Sequence, residues 1–491
     1  MKLKNKITTI VNFLLVTIVL LATSCVDGFK ETEVFSSSVR NTTLRSPDSL
    51  VFTQDSKGST VTVSWPVVYG AGGYKVSLYI VDDPTNPVAV GALNQIVDGD
   101  TIQRPLKSET KYKAFVQTLG NAAYNNKDAV DTTKKAYSTY TVSYATIPSG
   151  TDLYTYFQTN PVPSSTTTIL YDLEQNGSYT MSGNVSLGLT SVYFRGDKVH
   201  HPKITMSNGV FISDGAGLVL NRIDFDCSSF TGSGLITFNS TLNPSATTCT
   251  WGTLVNPLVS LQSCKIVGLA SPLVYDNGKK YALQTLLIND CVIGQNVASK
   301  NLISMGGGYV KDLTISNSTI YNVQLATGGY LIQYANSTNA SKITGANWAT
   351  GSVSLTSSTF WQVCPNNAIT NYSGFSSSAS NTLNLQNNIF VDCDKVKSIS
   401  ASMCVNSKTP ARNYANNTYW VTSGTTVTTT ASKLPPGCPL YEILSTTYSF
   451  ADNSGTVIQS DPQFQDPVNA NFKVLGTAQI AAKTGDPRWL Q

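Results

Sequence analysis

One hydrophobic frame recurs along the chain, and no other feature limits the fold so strongly. LLINDCVIGQN (286–296) and LTISNSTIYNV (313–323) share the pattern h-x-h-x-x-s-x-h, with h apolar and s small or polar. The middle apolar residue of successive copies is Leu220, Leu261, Ile288, Ile315, Leu355, Leu385 and, less regularly, Tyr414. The steps between them are 41, 27, 27, 40, 30 and 29 residues. A period in the high twenties with occasional long insertions marks a solenoid. Inside each copy the alternation has period two, so the elements are strands rather than helices. The s column reads Ile223, Cys264, Cys291, Ser318, Ser358, Asn388, Asn417, and the residue before it Arg222, Ser263, Asp290, Asn317, Ser357, Asn387, Asn416.

These columns predict a right-handed, single-stranded parallel β-helix, with coils stacked at strand spacing of about 4.8 Å. Apolar columns face inward. The Asn-rich corner suits left-handed turn geometry and side-chain bonding between coils. Cys264 and Cys291 then stack as small buried groups, a disulfide being the alternative. A propeller is the rival architecture, but a step of 27 residues is too short for a four-stranded blade. A further strand precedes each frame, as in LITFN (235–239), LVYDN (273–277), LISMG (302–306) and LIQYA (331–335), which gives three strands per coil.

Upstream, residues 48–147 carry short alternating strands such as TVTVSW (60–65), GYKVSLYIV (73–81), TKYKAFVQT (110–118) and YSTYTVSYAT (137–146). About a hundred residues of this kind indicate a β-sandwich. With Trp65, Tyr74, and Leu106 to Tyr112 in LKSETKYKAFV, the segment resembles a fibronectin type III domain, including its tyrosine corner. The resemblance implies a spacer or adhesion module. The whole chain is thus expected to be all-β, with the solenoid at 150–491.

The first residues read as a leader. MKLKNK is basic, ITTIVNFLLVTIVLLA is apolar, and small residues precede Cys25 in LATSC. This resembles the bacterial lipobox, which implies a signal peptide at 1–24, lipidation of Cys25 and a tether over 25–47. An ordinary secretory signal is the alternative. Val26, followed by Asp27 and Glu31, is similar to the start of lipoproteins exported to the Gram-negative cell surface. The implied location is the outer membrane, held by the lipid.

The three-strand coils resemble the pectate-lyase-like fold. TSVYFRGDKVHHPKITM (190–206) and DPQFQDPVNANFKVL with AAKTGDPRW (461–489) resemble the opening and closing segments of surface β-helix lipoproteins encoded beside polysaccharide-degradation genes. The resemblance covers roughly 150–491. It implies a polysaccharide partner and, alongside it, other glycan-uptake proteins.

The chemistry of individual residues is sparser. Charged residues make up 13% and the net charge is +4, so no nucleic-acid footprint is present. His200 and His201 are the only histidines, which argues against a multi-histidine metal site and a Ser-His triad. No CxxC pair occurs, so zinc is not supported. A lyase of the pectate type needs carboxylates for Ca²⁺ and a Lys or Arg base. Glu174 and Glu442 are the only glutamates after residue 150. The best acidic pair is Asp392 and Asp394, beside Lys395, either a Ca²⁺ site or a solvated turn. Asp224 and Asp226 form a second outward pair. Lys300 and Lys395 are the candidate bases.

Binding candidates are more numerous. Thr237, Tyr275, Ser304 and Gln333 are expected outward on the putative groove strands, with Asn277, Lys279, Lys280, Lys300 and Lys311 around them. Tyr can stack on a sugar, amides can bind hydroxyls, and Lys can pair with uronates. A second outward column, Tyr321, Trp361 and Trp420, is either a stacking platform or is covered by loops such as 421–460. Glycan engagement by an acidic, pectin-like polymer is the leading expectation. The others are a Ca²⁺-dependent polysaccharide lyase and a purely adhesive or structural solenoid.

Overall fold

The computed structural model describes residues 39–249, 252–324, 329–335, 348–365, 367–376, 380–393, 403, 411–422, 452, 454–458 and 460–491. The leader, Cys25, Asp394, Lys395, Cys404, Cys438 and Glu442 lie outside the described residues. The chain divides into two units, Met1–Thr141 and Val142–Gln491.

The first unit is a β-sandwich of antiparallel sheets. Val51–Gln54, Thr60–Ser64 and Thr101–Pro105 form one sheet. Gly73–Ile80, Lys111–Leu119 and Thr133–Ser138 form the other, with the short strands Val88–Ala89 and Gln95–Val97 on the free side of Gly73–Ile80. Period-two alternation places Val61, Val63 and Trp65 against Tyr74, Val76, Tyr112, Ala114 and Val116. The Trp65 and Tyr74 rings meet edge to face at 5.4 Å. The buried Tyr112 hydroxyl accepts the Lys107 N–H at 2.7 Å, which ties the loop before the strand to the strand itself. The expected tether is shorter than 25–47, because its end is held by the sandwich. Asn41 and Leu44 donate N–H bonds to Tyr124 and Lys127, and buried Ser46 bonds twice to Asp131.

The second unit is a parallel β-helix and begins earlier than residue 150. Ala145–Ile147, expected to close the sandwich, pairs in parallel with Ile169–Leu173 of the solenoid. Among the described residues the coils build parallel sheets of ten, nine and seven strands. The helix Leu153–Thr159 covers the open end, with Phe157 against Tyr171 at 5.2 Å and Phe194 at 5.7 Å. Asp152 caps this helix through the Thr155 N–H and also accepts from Thr180 of the strand Ser178–Met181 and from Ser182 just after it.

The repeat frame maps onto the sheets in register. Leu220, Leu261, Ile288, Ile315, Leu355, Leu385 and Tyr414 are successive partners in the ten-stranded sheet. Phe225, Ile266, Ile293, Ile320, Phe360, Phe390 and Tyr419 are successive partners in the nine-stranded sheet. Between these sheets the corner residues Arg222, Ser263, Asp290, Asn317, Ser357, Asn387 and Asn416 all have φ between 46° and 60°. One left-handed residue turns the chain sharply enough for the buried s column to follow one residue later and the next inward column three residues later.

The s column is buried and bonded from coil to coil. The Cys291 N–H donates to Ser318 Oγ at 3.0 Å, and the Ser318 N–H to Ser358 Oγ at 3.2 Å. The Ser358 N–H donates to Asn388 Oδ1 at 3.2 Å, and the Asn388 N–H to Asn417 Oδ1 at 3.1 Å. Asn388 and Asn417 also donate their amides to Leu355 O and Leu385 O, both at 2.7 Å. Asp452, fully buried, accepts from Asn417 and from the Tyr419 hydroxyl at the last coil. Cys264 and Cys291 are free, buried thiols that point at the carbonyls of Leu220 and Leu261.

Asn388→Ala leaves the Ser358 N–H without its partner in a dry interior and removes the side-chain bond to the Leu355 carbonyl. The expected cost is about 2–3 kcal/mol, read as a lower urea midpoint, while exposed Asn413→Ala should stay within about 0.5 kcal/mol of the parent. Equal midpoints for the two variants would mean that the ladder carries no stability.

Candidate functional site

The seven-stranded sheet displays one outward residue per coil. The register joins Ile212, Thr237, Tyr275, Ser304, Gln333 and Asn371 into a single column. Coils stack at strand spacing, so these side chains repeat about every 4.8 Å. Tyr275, Gln333 and Asn371 are half-buried, whereas Thr237 is buried and turns its hydroxyl back to Gly234 O. Thr237 is therefore part of the wall and not of the exposed floor. Gln333 Oε1 accepts from Asn301 Nδ2 and, at 3.4 Å, from Ser304 Oγ. These bonds fix the amide orientation so that its nitrogen faces away from them.

Beside Tyr275 the chain makes a rigid corner. Asp276 follows the phenol but faces the interior, opposite Met305 and Phe238 in their coils. Its carboxylate accepts three backbone N–H bonds of 2.8 Å, from Gly278, Gly307 and Gly308. Burial pushes its pKa up, and the three amides oppose that shift. Gly308 has no room for a side chain, because a Cβ there would meet the Tyr281 carbonyl at 2.1 Å. Asn277 and Gly278 both take positive φ, and Asn277 Nδ2 donates to Phe238 O at 2.6 Å. The corner therefore presents Lys279 and Lys280 in fixed backbone positions, both exposed, as is Lys300 one coil on. Lys311 differs from expectation: it lies within the strand Tyr309–Ser316 and pairs with Asp312 at 2.5 Å.

The second aromatic column is not an exposed platform. Gly294, Tyr321, Trp361, Val391 and Trp420 do stand in one register on the nine-stranded sheet. The closing segment covers them; most of 421–460, the loop expected to do so, lies outside the described residues. Its hairpin, Phe464–Asp466 with Asn471–Val474, lays Phe472 at 5.3 Å from Tyr321 and 5.8 Å from Trp361. Tyr321 and Trp361 are each only 8% exposed, and Trp420 is half-buried against the same cluster. Apolar aromatics on a sheet face gain more from this cover than from water. The DPRW sequence pins the cover. Thr319 donates to buried Asp486 at 2.7 Å, the Trp489 indole donates to Thr319 at 2.7 Å, and Arg488 bridges Asp486 to Asp290 at the left-handed corner.

Of the candidate metal pair only Asp392 is among the described residues. Asp392 is buried, sits at φ 53°, and has both oxygens engaged by Thr422, at 2.9 Å from its N–H and 2.7 Å from its hydroxyl. It thus caps a turn between coils. Among the described residues no three His, Cys, Asp or Glu side chains cluster as metal ligands. Asp224 and Asp226 point outward together as expected, but pair with His201 at 2.9 Å and Lys203 at 2.8 Å of the preceding coil. The Lys203 ammonium, helped by Ser228, holds the Asp226 carboxyl down at about 2.

Residues 3–178 match a family described as a domain of unknown function, DUF4992, and residues 177–323 match a second, DUF4957, with the same description. The two matches meet between the strands Ile169–Leu173 and Ser178–Met181, inside the opening coils. No curated protein and no solved structure matches the chain.

Two outcomes follow from this geometry. Phe472→Ala should destabilise the closing segment by about 3–5 kcal/mol, seen as faster amide exchange over residues 461–490 and a red-shifted tryptophan emission. Unchanged exchange would mean that the ring does not hold the segment. The Asp226 carboxyl titrates lower folded than unfolded, so its pairing stabilises the chain above pH about 4 and is lost as pH falls toward about 2. Asp226→Asn should flatten stability across that acid window and leave the curve above pH about 6 parallel to the parent's.

Proposed function

We propose that this chain is a surface-anchored lipoprotein whose β-helix engages an acidic, pectin-like extracellular polysaccharide for capture or degradation. The fibronectin-type sandwich is the spacer between the lipid at Cys25 and the solenoid. The observation that carries the reading is the Tyr275–Ser304–Gln333–Asn371 column, flanked by Lys279, Lys280 and Lys300. A linear polymer can lie along such a column. It offers the phenol a sugar face, the amides its hydroxyls, and the lysines its carboxylates. Asn277 belongs to this site through the backbone it shapes. Tyr321, Trp361 and Trp420 do not, because Phe472 covers them.

Binding is preferred over Ca²⁺-dependent elimination because Asp392 has both oxygens engaged by Thr422. The same sample separates the two. The full chain is mixed with polygalacturonate and Ca²⁺, and ultraviolet absorbance is followed for an unsaturated uronide. Retention on immobilised polygalacturonate without an absorbance rise is expected. Tyr275→Ala should weaken that retention about tenfold, the equivalent of about 1.4 kcal/mol. A chelator-sensitive rise would make the protein a lyase. Retention that ignores Tyr275→Ala would move the ligand off this column.

A further inference from the structure

We propose that the outer face of the sandwich's larger sheet is a second binding site, for an anionic oligosaccharide, so that this unit contacts glycan as well as spacing the solenoid. The proposal rests on the preceding reading only for the choice of an acidic glycan; its residues are separate. The face forms a cleft of about 660 Å³. Register puts Ser77 opposite Phe115 and Phe115 opposite Lys134, with Tyr79 opposite Lys113 and Lys75 opposite Gln117 on either side. Pro84 and Pro87 stand on one wall. The Tyr79 ring meets Phe115 edge-on at 5.6 Å. Lys113 Nζ and Lys134 Nζ each stand 5.7 Å from the Phe115 ring centre.

The charge arrangement selects the ligand. Lys75, Lys113 and Lys134 make no ion pair among the described residues, and no carboxylate lines the cleft. Two ammonium groups gathered at one aromatic ring repel each other, and an anion placed between them relieves that repulsion. The aromatic and proline surface beside them suits the apolar face of a sugar ring and adds nothing for a free inorganic anion. Asn94 is held at the wall, its N–H donated to Ser77 Oγ at 2.8 Å and its Oδ1 accepting from Ser77 Oγ at 3.5 Å, which leaves its amide nitrogen to meet a hydroxyl. Carboxylate and sulfate groups share the required chemistry, and the probes below distinguish them.

The test is calorimetric titration of the full chain with oligogalacturonate, dextran sulfate and neutral dextran, at low and high salt. The expected result is binding of one or both anionic probes, weakened by salt, with none to dextran. Whichever anionic probe binds identifies carboxylate or sulfate as the group recognised. Lys113→Gln/Lys134→Gln should weaken that binding about a hundredfold, by about one decade per lost charge-assisted contact. Both lysines lie on the outer face, so the urea midpoint should not move. Tyr275→Ala should leave this component intact. Full binding by the double lysine variant, or equal binding of neutral dextran, would overturn the proposal. So would loss of all binding on Tyr275→Ala alone, which would keep the solenoid column as the single site. Polyglutamate binding as tightly as oligogalacturonate would overturn the sugar assignment. Loss of all binding in the double lysine variant alone would support the sandwich site and remove the solenoid reading.

Discussion

Everything in the solenoid depends on each coil turning the corner between its two long sheets at the same residue. The turn requires a left-handed backbone at Arg222, Ser263, Asp290, Asn317, Ser357, Asn387 and Asn416. For residues other than glycine that conformation is unfavourable, by about 1 kcal/mol or more each. The buried column one residue further on offsets this cost. Its hydroxyls and amides accept the N–H that the corner leaves unpaired in the neighbouring coil, as in the Ser318–Ser358–Asn388–Asn417 series. An unpaired buried N–H would cost about as much again. Corner and ladder therefore stabilise each other, and a coil out of register loses both.

A parallel stack has two open ends, and unpaired strand edges invite association. This chain closes both with its own residues. The helix Leu153–Thr159 packs its apolar side on Tyr171 and Phe194. At the other end Ile458 bridges to Thr418, and Asp452 takes the last amide of the ladder. The closing segment then runs along the nine-stranded sheet, where Gln479, fully buried, donates to Ser460 O, and the Gly485 N–H donates to Asn387 O. Arg488 ties this segment to Asp290, a corner residue, so the cover and the corner share one ion pair.

Much of this could be read from the sequence, and the exceptions share a cause. The inward columns, the corner and the free thiols were legible because each depends on a residue and its copy one coil away. Even Arg222 and Ser357, poor candidates for a left-handed residue by type, were placed by their column. Tyr321 and Trp361 were ambiguous because their partner, Phe472, lies over a hundred residues on and belongs to no repeat. Asp276 gave no sign of facing inward; only the three amides of Gly278, Gly307 and Gly308 make that orientation tolerable. Residues 142–147 alternate like a strand of the sandwich yet belong to the solenoid, because a strand pattern does not say which sheet it joins. Gly294 is a signal that could have located the aromatic cover from the start, since a side chain there would strike the Tyr321 hydroxyl at 2.4 Å.

The ten-stranded and seven-stranded sheets both display polar side chains, and their hydrogen bonding separates them. On the ten-stranded sheet Asn413 donates to Asn384 at 2.8 Å and Asn384 to Ser354 at 2.7 Å, while Ser316 donates to Asn289 at 2.9 Å. Those groups satisfy one another along the stack. A sugar hydroxyl arriving there would replace one good bond by another, with little net gain. On the seven-stranded sheet the Tyr275 hydroxyl and the Gln333 amide nitrogen have no protein partner among the described residues, and the Gln333 amide is held in place by Asn301. Groups already ordered but unpaired lose little freedom on meeting a ligand and gain a full bond. The polar face that stabilises the fold and the polar face that keeps unpaired groups are thus different sheets of one coil, separated by which side chains the stack itself has already paired.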